Sequence, residues 1–121
     1  PMYVGIYQVG PRQRSLSGKQ IEELAHLSGT TPEEYIADQM VYPANLLAKN
    51  ISGYALCEFT IDKEGVILRP HILKATHSEF AEEALRIVKG MPKWSPALAG
   101  GKPTDSNYTL YIPFRPKLYK P

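Results

Sequence analysis

Cysteine is nearly missing from this chain. Cys57 stands alone among 121 residues, so no intramolecular disulfide staples the fold, and cysteine usage leaves the redox compartment open. Long apolar runs are missing too. None approaches the roughly 18 to 20 residues that span a bilayer, and no charged n-region followed by an apolar h-region resembles a signal peptide. Nowhere do more than two basic residues adjoin, and 14 basic residues against 12 acidic ones leave a net charge of +2. A phosphate-binding surface needs a clustered basic footprint, which argues against nucleic acid as a partner. The chain begins at Pro1 rather than at an initiator methionine, which suggests a processed or shortened product whose address, with any membrane anchor, lies upstream.

What is present is the composition of an ordinary globular domain: 43% apolar and 21% charged residues, far from the charge-rich, apolar-poor signature of disorder. The length suits one domain. Met2 to Val9 is rich in β-branched and aromatic types and is expected to form a strand ending at Gly10-Pro11. Ser17 is placed to cap a short helix with Ile21, Leu24, Ala25 and Leu27 on one face, stopped by Gly29. Thr31 followed by Pro32, Glu33 and Glu34 starts a second helix running to about Gln39. Pro43 biases Tyr42 away from helix, and a turn of helix through Leu47 follows.

From Gly53 the period changes to two. Ala55, Cys57, Phe59 and Ile61 share one face, and Tyr54, Leu56, Glu58 and Thr60 the other, the pattern of a half-buried strand. Asp62-Lys63-Glu64-Gly65 is a hairpin loop, with Gly65 free to take positive φ, and Val66 to Leu73 returns antiparallel. Pro70 cannot donate to a ladder, so the returning strand belongs at an edge or carries a bulge, leaving the first strand central. Thr76-His77-Ser78-Glu79 has capping-box spacing, and Phe80, Ala84, Ile87, Val88 and Met91 follow at helical intervals, closed by Gly90 and Pro92. Tyr108 to Phe114 makes a last strand. The expected fold is therefore α+β: a small antiparallel three-stranded sheet (β-β-α-β) with a long helix on one face, plus short N-terminal helices.

Chemistry-bearing residues mostly have structural explanations. Cys57 shares its face with Ala55, Phe59 and Ile61, so a buried core thiol is expected rather than a nucleophile, which needs a base and an electropositive setting. His26, His71 and His77 lack metal-ligand spacing. Glu33-Glu34 and Glu82-Glu83 open or line helices, and adjacent helical carboxylates do not face one another. Trp94 reads as a packing anchor. The aromatic last strand suits sheet packing and partner binding equally. No catalytic constellation appears, so the chain is expected not to be an enzyme and to need no cofactor.

The succession Tyr42-Pro43, then Gly53, Phe59, Ile61, Asp62 and Gly65 in G-x-x-x-x-x-F-x-I-D-x-x-G, then E-x-A-L (Glu82 to Leu85), P-K-W-x-P-A (Pro92 to Ala97), G-K-P (Gly101 to Pro103) and Y-T-L-x-I-x-F (Tyr108 to Phe114), resembles the TonB C-terminal domain family. Glu34 to Met40 is similar to the short helix that members from gut-type bacteria place before the Tyr-Pro pair. The resemblance implies a periplasmic domain, tethered to the inner membrane through a proline-rich linker and an anchor helix absent from this chain. It implies an ExbB and ExbD motor driven by the proton gradient, and as partner the TonB box of an outer-membrane transporter. Docking in that family is by strand addition, which places partner binding on the last strand: Tyr108, Thr109, Leu110, Tyr111, Ile112 and Phe114. The alternative is a TonB-like interaction or sensing module of another envelope protein, including the tail of a membrane-bound peptidase regulator. Residues 1–30 have no counterpart in the family and stand as an extension to a domain over 31–121; they are placed to cover one sheet edge. An unpaired edge also invites a homodimer. Pro113, within the proposed docking strand, removes one donor.

Overall fold

The computed structural model describes residues 12–121. In chain order its elements are β1 (Arg12–Ser15), β2 (His26–Leu27), α1 (Pro32–Gln39), α2 (Ala44–Ala48), β3 (Gly53–Ile61), β4 (Ile67–Ala75), α3 (Ser78–Lys89), β5 (Trp94–Ser95), β6 (Ala97–Ala99), β7 (Lys102–Thr104) and β8 (Ser106–Phe114), followed by a 3-10 turn at Pro116–Leu118. The strand expected at Met2 to Val9 lies outside the described residues. The main sheet has the order β1-β8-β3-β4, and two-stranded pieces β2-β5 and β6-β7 flank it.

The α+β class and the β-β-α-β unit follow the sequence pattern, but the sheet has a fourth strand. β1 pairs antiparallel with β8, Arg12 opposite Thr109 through Ser15 opposite Ser106. Its sequence, RQRS, has neither alternation nor β-branched residues, so nothing local announces it; the exposed main chain of β8 recruits it.

β3 is central, as Pro70 requires. It pairs with β8 without interruption from Gly53 opposite Phe114 to Ile61 opposite Ser106. On its other side β4 pairs through two register shifts, between Leu56 and Cys57 and between Glu58 and Thr60. Arg69, just before Pro70, takes φ 52°, the left-handed backbone of a kinked, bulged edge.

The long helix supplies the cover. Phe80, Ala84, Ile87 and Val88 are buried on one side of α3 and meet the inward row Ala55, Cys57, Phe59 and Ile61 together with Tyr108, Leu110, Ile112 and Phe114. Each large apolar side chain buried in this way contributes about 1.5–3 kcal/mol. Two aromatic clusters fill the ends. Phe80 stacks on Phe114 at 4.2 Å, with Tyr42 edge-on to both. Trp94 meets Tyr108 and Phe59 edge-on, and those two rings stack at 5.3 Å. Trp94 is thus the buried anchor its position suggests.

Two local expectations fail. No helix forms from Ser17 to Leu27. Glu22 N–H instead donates to Leu98 O at 2.7 Å, Leu98 N–H returns to Glu23 O at 2.9 Å, and His26–Leu27 pairs with Trp94–Ser95. Ala25 and Leu27 are buried while Leu24 is 54% exposed, a period of two that overrides a weak helical pattern. The capping box is absent as well. His77 is the N-cap of α3 with no side-chain cap bond, because Thr76 is engaged elsewhere: its Oγ1 accepts from Tyr54 N–H at 3.0 Å. At α1, by contrast, Thr31 Oγ1 accepts Glu34 N–H at 3.1 Å, the expected cap.

A buried carboxylate ties the segment before β3 to α3. Glu83 accepts Val41 N–H at 2.7 Å and the Arg86 guanidinium at 2.6 and 2.8 Å, and Arg86 also donates to Gln39 O at 2.7 Å. The hydrogen bond to Glu83 raises the Arg86 pKa above its ordinary range. Tyr42 Oη donates to Ile51 O at 2.6 Å, so the chain around Pro43 is held at both ends.

The hairpin loop is closed by main-chain bonds and by the Asp62 carboxylate, whose Oδ1 accepts Glu64 N–H at 2.8 Å and Val66 N–H at 2.9 Å. Gly65 has φ 86°, and a Cβ there would lie 1.9 Å from Trp94 O, the price of letting Trp94 N–H reach Gly65 O at 2.9 Å. Gly65→Ala combines left-handed strain with a backbone clash, and we expect it to lose about 3 kcal/mol or more in urea unfolding. Glu83→Ala leaves the part-buried Val41 N–H and the Arg86 guanidinium without this acceptor, and the same measurement is expected to show a loss of about 1–3 kcal/mol.

Candidate functional site

The geometry that bears on partner binding is that of the two sheet edges. β4 is a poor acceptor: Pro70 lacks a donor, Arg69 is kinked, and the strand is bulged twice. Such features blunt an edge against further pairing.

The β8 side differs. Thr76 N–H donates to Tyr54 O at 3.0 Å and Tyr54 N–H to Thr76 Oγ1, so the main-chain groups of Tyr54 face β4. In an antiparallel ladder these directions alternate. Gly53, Ala55, Cys57, Phe59 and Ile61 therefore exchange their bonds with Phe114, Ile112, Leu110, Tyr108 and Ser106. The main chain of Asn107, Thr109, Tyr111 and Pro113 then points away from β3, toward β1. Leu16 N–H donating to Asp105 O at 3.1 Å fits the same parity. Pro113 thus costs β3 nothing; its missing N–H is on the outward side.

This parity sorts the residues that the family resemblance places in contact with a partner. Tyr108, Leu110, Ile112 and Phe114 are buried in the core, so their side chains shape the strand and hold it to α3. Thr109 and Tyr111 lie on the opposite face, half-buried. Tyr111 stacks on Tyr54 with centroids 5.3 Å apart, and Thr60 Oγ1 donates to Asn107 Oδ1 at 2.8 Å. Burial pushes the Tyr108 phenol up. Sequence reasoning missed that β1 already lies along Ser106–Thr109; the only hint was that residues 1–30 were placed to cover an edge. It also missed Asn107 as an outward-facing position.

The other chemistry-bearing groups are structural. Cys57 is fully buried, and its thiol is raised to about 11 by burial, with a smaller opposing contribution from a main-chain hydrogen bond at His71. A thiol so placed is no nucleophile at neutral pH. His26 is in β2, His71 on β4 faces Glu58 at 3.2 Å, and His77 occupies the N-cap position of α3 without a side-chain cap bond. Among the described residues no group of three His, Cys, Asp or Glu side chains is arranged to hold a metal, and no helix is long and apolar enough to cross a membrane. A groove of about 410 Å³ runs between the Tyr42-Pro43 turn and α3. Two of its three carboxylates are engaged, Glu83 as above and Glu79 by Asn45 Nδ2 at 3.0 Å, and Glu82 completes the lining.

No curated protein sequence matches the chain. The family described as Gram-negative bacterial TonB protein C-terminal matches residues 38–116, a span that begins within α1 and includes the Tyr42-Pro43 turn, the β3–β4 hairpin, α3 and all of β8. Those are the elements whose order and spacing carried the resemblance, and the chain belongs to the TonB C-terminal domain family.

Proposed function

We propose that this domain is the periplasmic, receptor-contacting end of a TonB-type energy transducer. It takes up the TonB box of an outer-membrane transporter as an added strand on β8 and passes on work drawn by an ExbB and ExbD motor from the proton gradient. Family membership supports the partner class. The observation that carries the mode of binding is the contrast between edges. β4 is bulged and proline-bearing, whereas β8 is a regular nine-residue strand with β1 beside four of its residues.

Strand addition draws affinity from main-chain hydrogen bonds and selectivity from alternate side chains. On β8 the main-chain groups are those of Asn107, Thr109, Tyr111 and Pro113. The side chains that a partner meets are those of Thr109 and Tyr111, since their neighbours are in the core. The domain does not need a catalytic group for this role.

Titration of the ¹⁵N-labelled chain with synthetic peptides carrying TonB boxes of transporters from the same bacterium tests the reading. The largest amide shifts are expected at Asn107, Thr109 and Tyr111, with smaller ones at the inward-facing Tyr108, Leu110 and Ile112. Shifts confined to β4, or none with any peptide, would overturn docking on β8.

A further inference from the structure

We propose that β1 is a resident strand occupying the docking edge, and that a partner strand binds by displacing it. The inference rests on the strand-addition reading of β8 and adds its regulation: the chain competes with its partner for the same main-chain groups.

The first support is the composition and anchoring of β1. Among the described residues Arg12–Ser15 contains no apolar side chain, whereas β3 and β8 bury rows of them. Beyond its ladder with β8, the described anchors are the Gln13 amide, which donates from Nε2 to Ala25 O and accepts Ala25 N–H at Oε1, each at 2.9 Å, and a longer contact of 3.5 Å between the Ser15 and Thr104 hydroxyls. Residues 16–20, which follow, are all exposed, and Gly18 takes φ 82° within them. A short polar strand on an exposed connection belongs to the low-stability end of a fold and opens locally without unfolding the core.

The second support is the arithmetic of the edge. Beyond Thr109, where the described span of β1 ends, the outward main chain of β8 has at most one N–H to offer, that of Tyr111, because Pro113 lacks one. Asn107 and Thr109 add two N–H groups and two carbonyls, and β1 lies opposite both. A partner strand long enough to draw on main-chain bonding must therefore take the place of β1.

Ser15 stands opposite Ser106, and the parity of β8 makes this the closer, non-hydrogen-bonded kind of pair, suited to a disulfide. Ser106 Oγ is buried without a hydrogen-bond partner among the described residues, so replacing it forfeits no such bond. The full chain carrying Ser15→Cys and Ser106→Cys locks β1 when oxidised and frees it when reduced, while Cys57 stays buried. With a synthetic TonB-box peptide as probe, the oxidised form is expected to bind at least tenfold more weakly than the reduced form. Gln13→Ala, which removes the amide anchor, is expected to bind more tightly than the unaltered chain. Equal binding by the oxidised and reduced forms would overturn displacement while leaving docking on β8 in place. Absence of binding by every form, Gln13→Ala included, would overturn docking and displacement together. Hydrogen exchange of the unaltered chain without peptide gives an independent reading: the amides of Asn107 and Thr109 are expected to exchange at least tenfold faster than those of Tyr108 and Leu110. Equal protection of the two sets would overturn the proposal whatever the peptides do.

Discussion

The uninterrupted antiparallel ladder between β3 and β8 is the constraint from which the rest follows. Nine consecutive pairs, from Gly53 opposite Phe114 to Ile61 opposite Ser106, fix two alternations at once. Side chains of Tyr108, Leu110, Ile112 and Phe114 enter the core under α3, and main-chain groups of Asn107, Thr109, Tyr111 and Pro113 point away from β3. A slip of one residue would turn the core row out to solvent. The burial of Phe114 against Phe80, and of Tyr108 against Phe59 and Trp94, therefore specifies which hydrogen-bonding groups β8 turns away from β3. Core packing and the outward main chain are set by the same register.

The two sides of the sheet are treated differently. On β4, Pro70, the kink at Arg69 and two bulges spoil the edge while keeping Ile72 and Ala75 partly buried against the core. On β8 the strand stays regular, and among the described residues the polar strand β1 lies along Ser106–Thr109. An unguarded regular edge is an aggregation hazard, and a strand laid along it reduces that hazard without destroying the edge. Glu83 and Arg86 work on a different part of the problem. By tying Val41 and Gln39 to α3, they keep the segment before β3 in place, and Tyr42 then closes the aromatic cluster over Phe80 and Phe114.

Much of this was legible in residues 31 to 114, and the reason is that local signals there agree with the tertiary structure. Thr31-Pro32 starts a helix, the period of two in Tyr54 to Ile61 makes a strand, Gly65 turns it, and Phe80 to Val88 lines one helix face. The failures share a cause. Ile21, Leu24, Ala25 and Leu27 have helical spacing, yet the main chain of Glu22 and Glu23 finds Leu98, and a non-local ladder wins over a weak local preference. Thr76 has the right spacing for a cap but is taken by Tyr54. β1 has no local signature at all, because its strand conformation comes from the edge it joins. For the same reason the last strand was legible as a segment, whereas the division of its residues into core and outward positions needed the hydrogen-bond parity.

The central claim is that the outward main chain of β8 receives a partner's strand. Cross-strand nuclear Overhauser contacts in a complex of the domain with a TonB-box peptide test it most directly. The account predicts contacts from peptide backbone protons to Asn107, Thr109 and Tyr111, on the side of β8 away from β3. Contacts running instead along β4, or confined to the groove between Pro43 and α3, would contradict it.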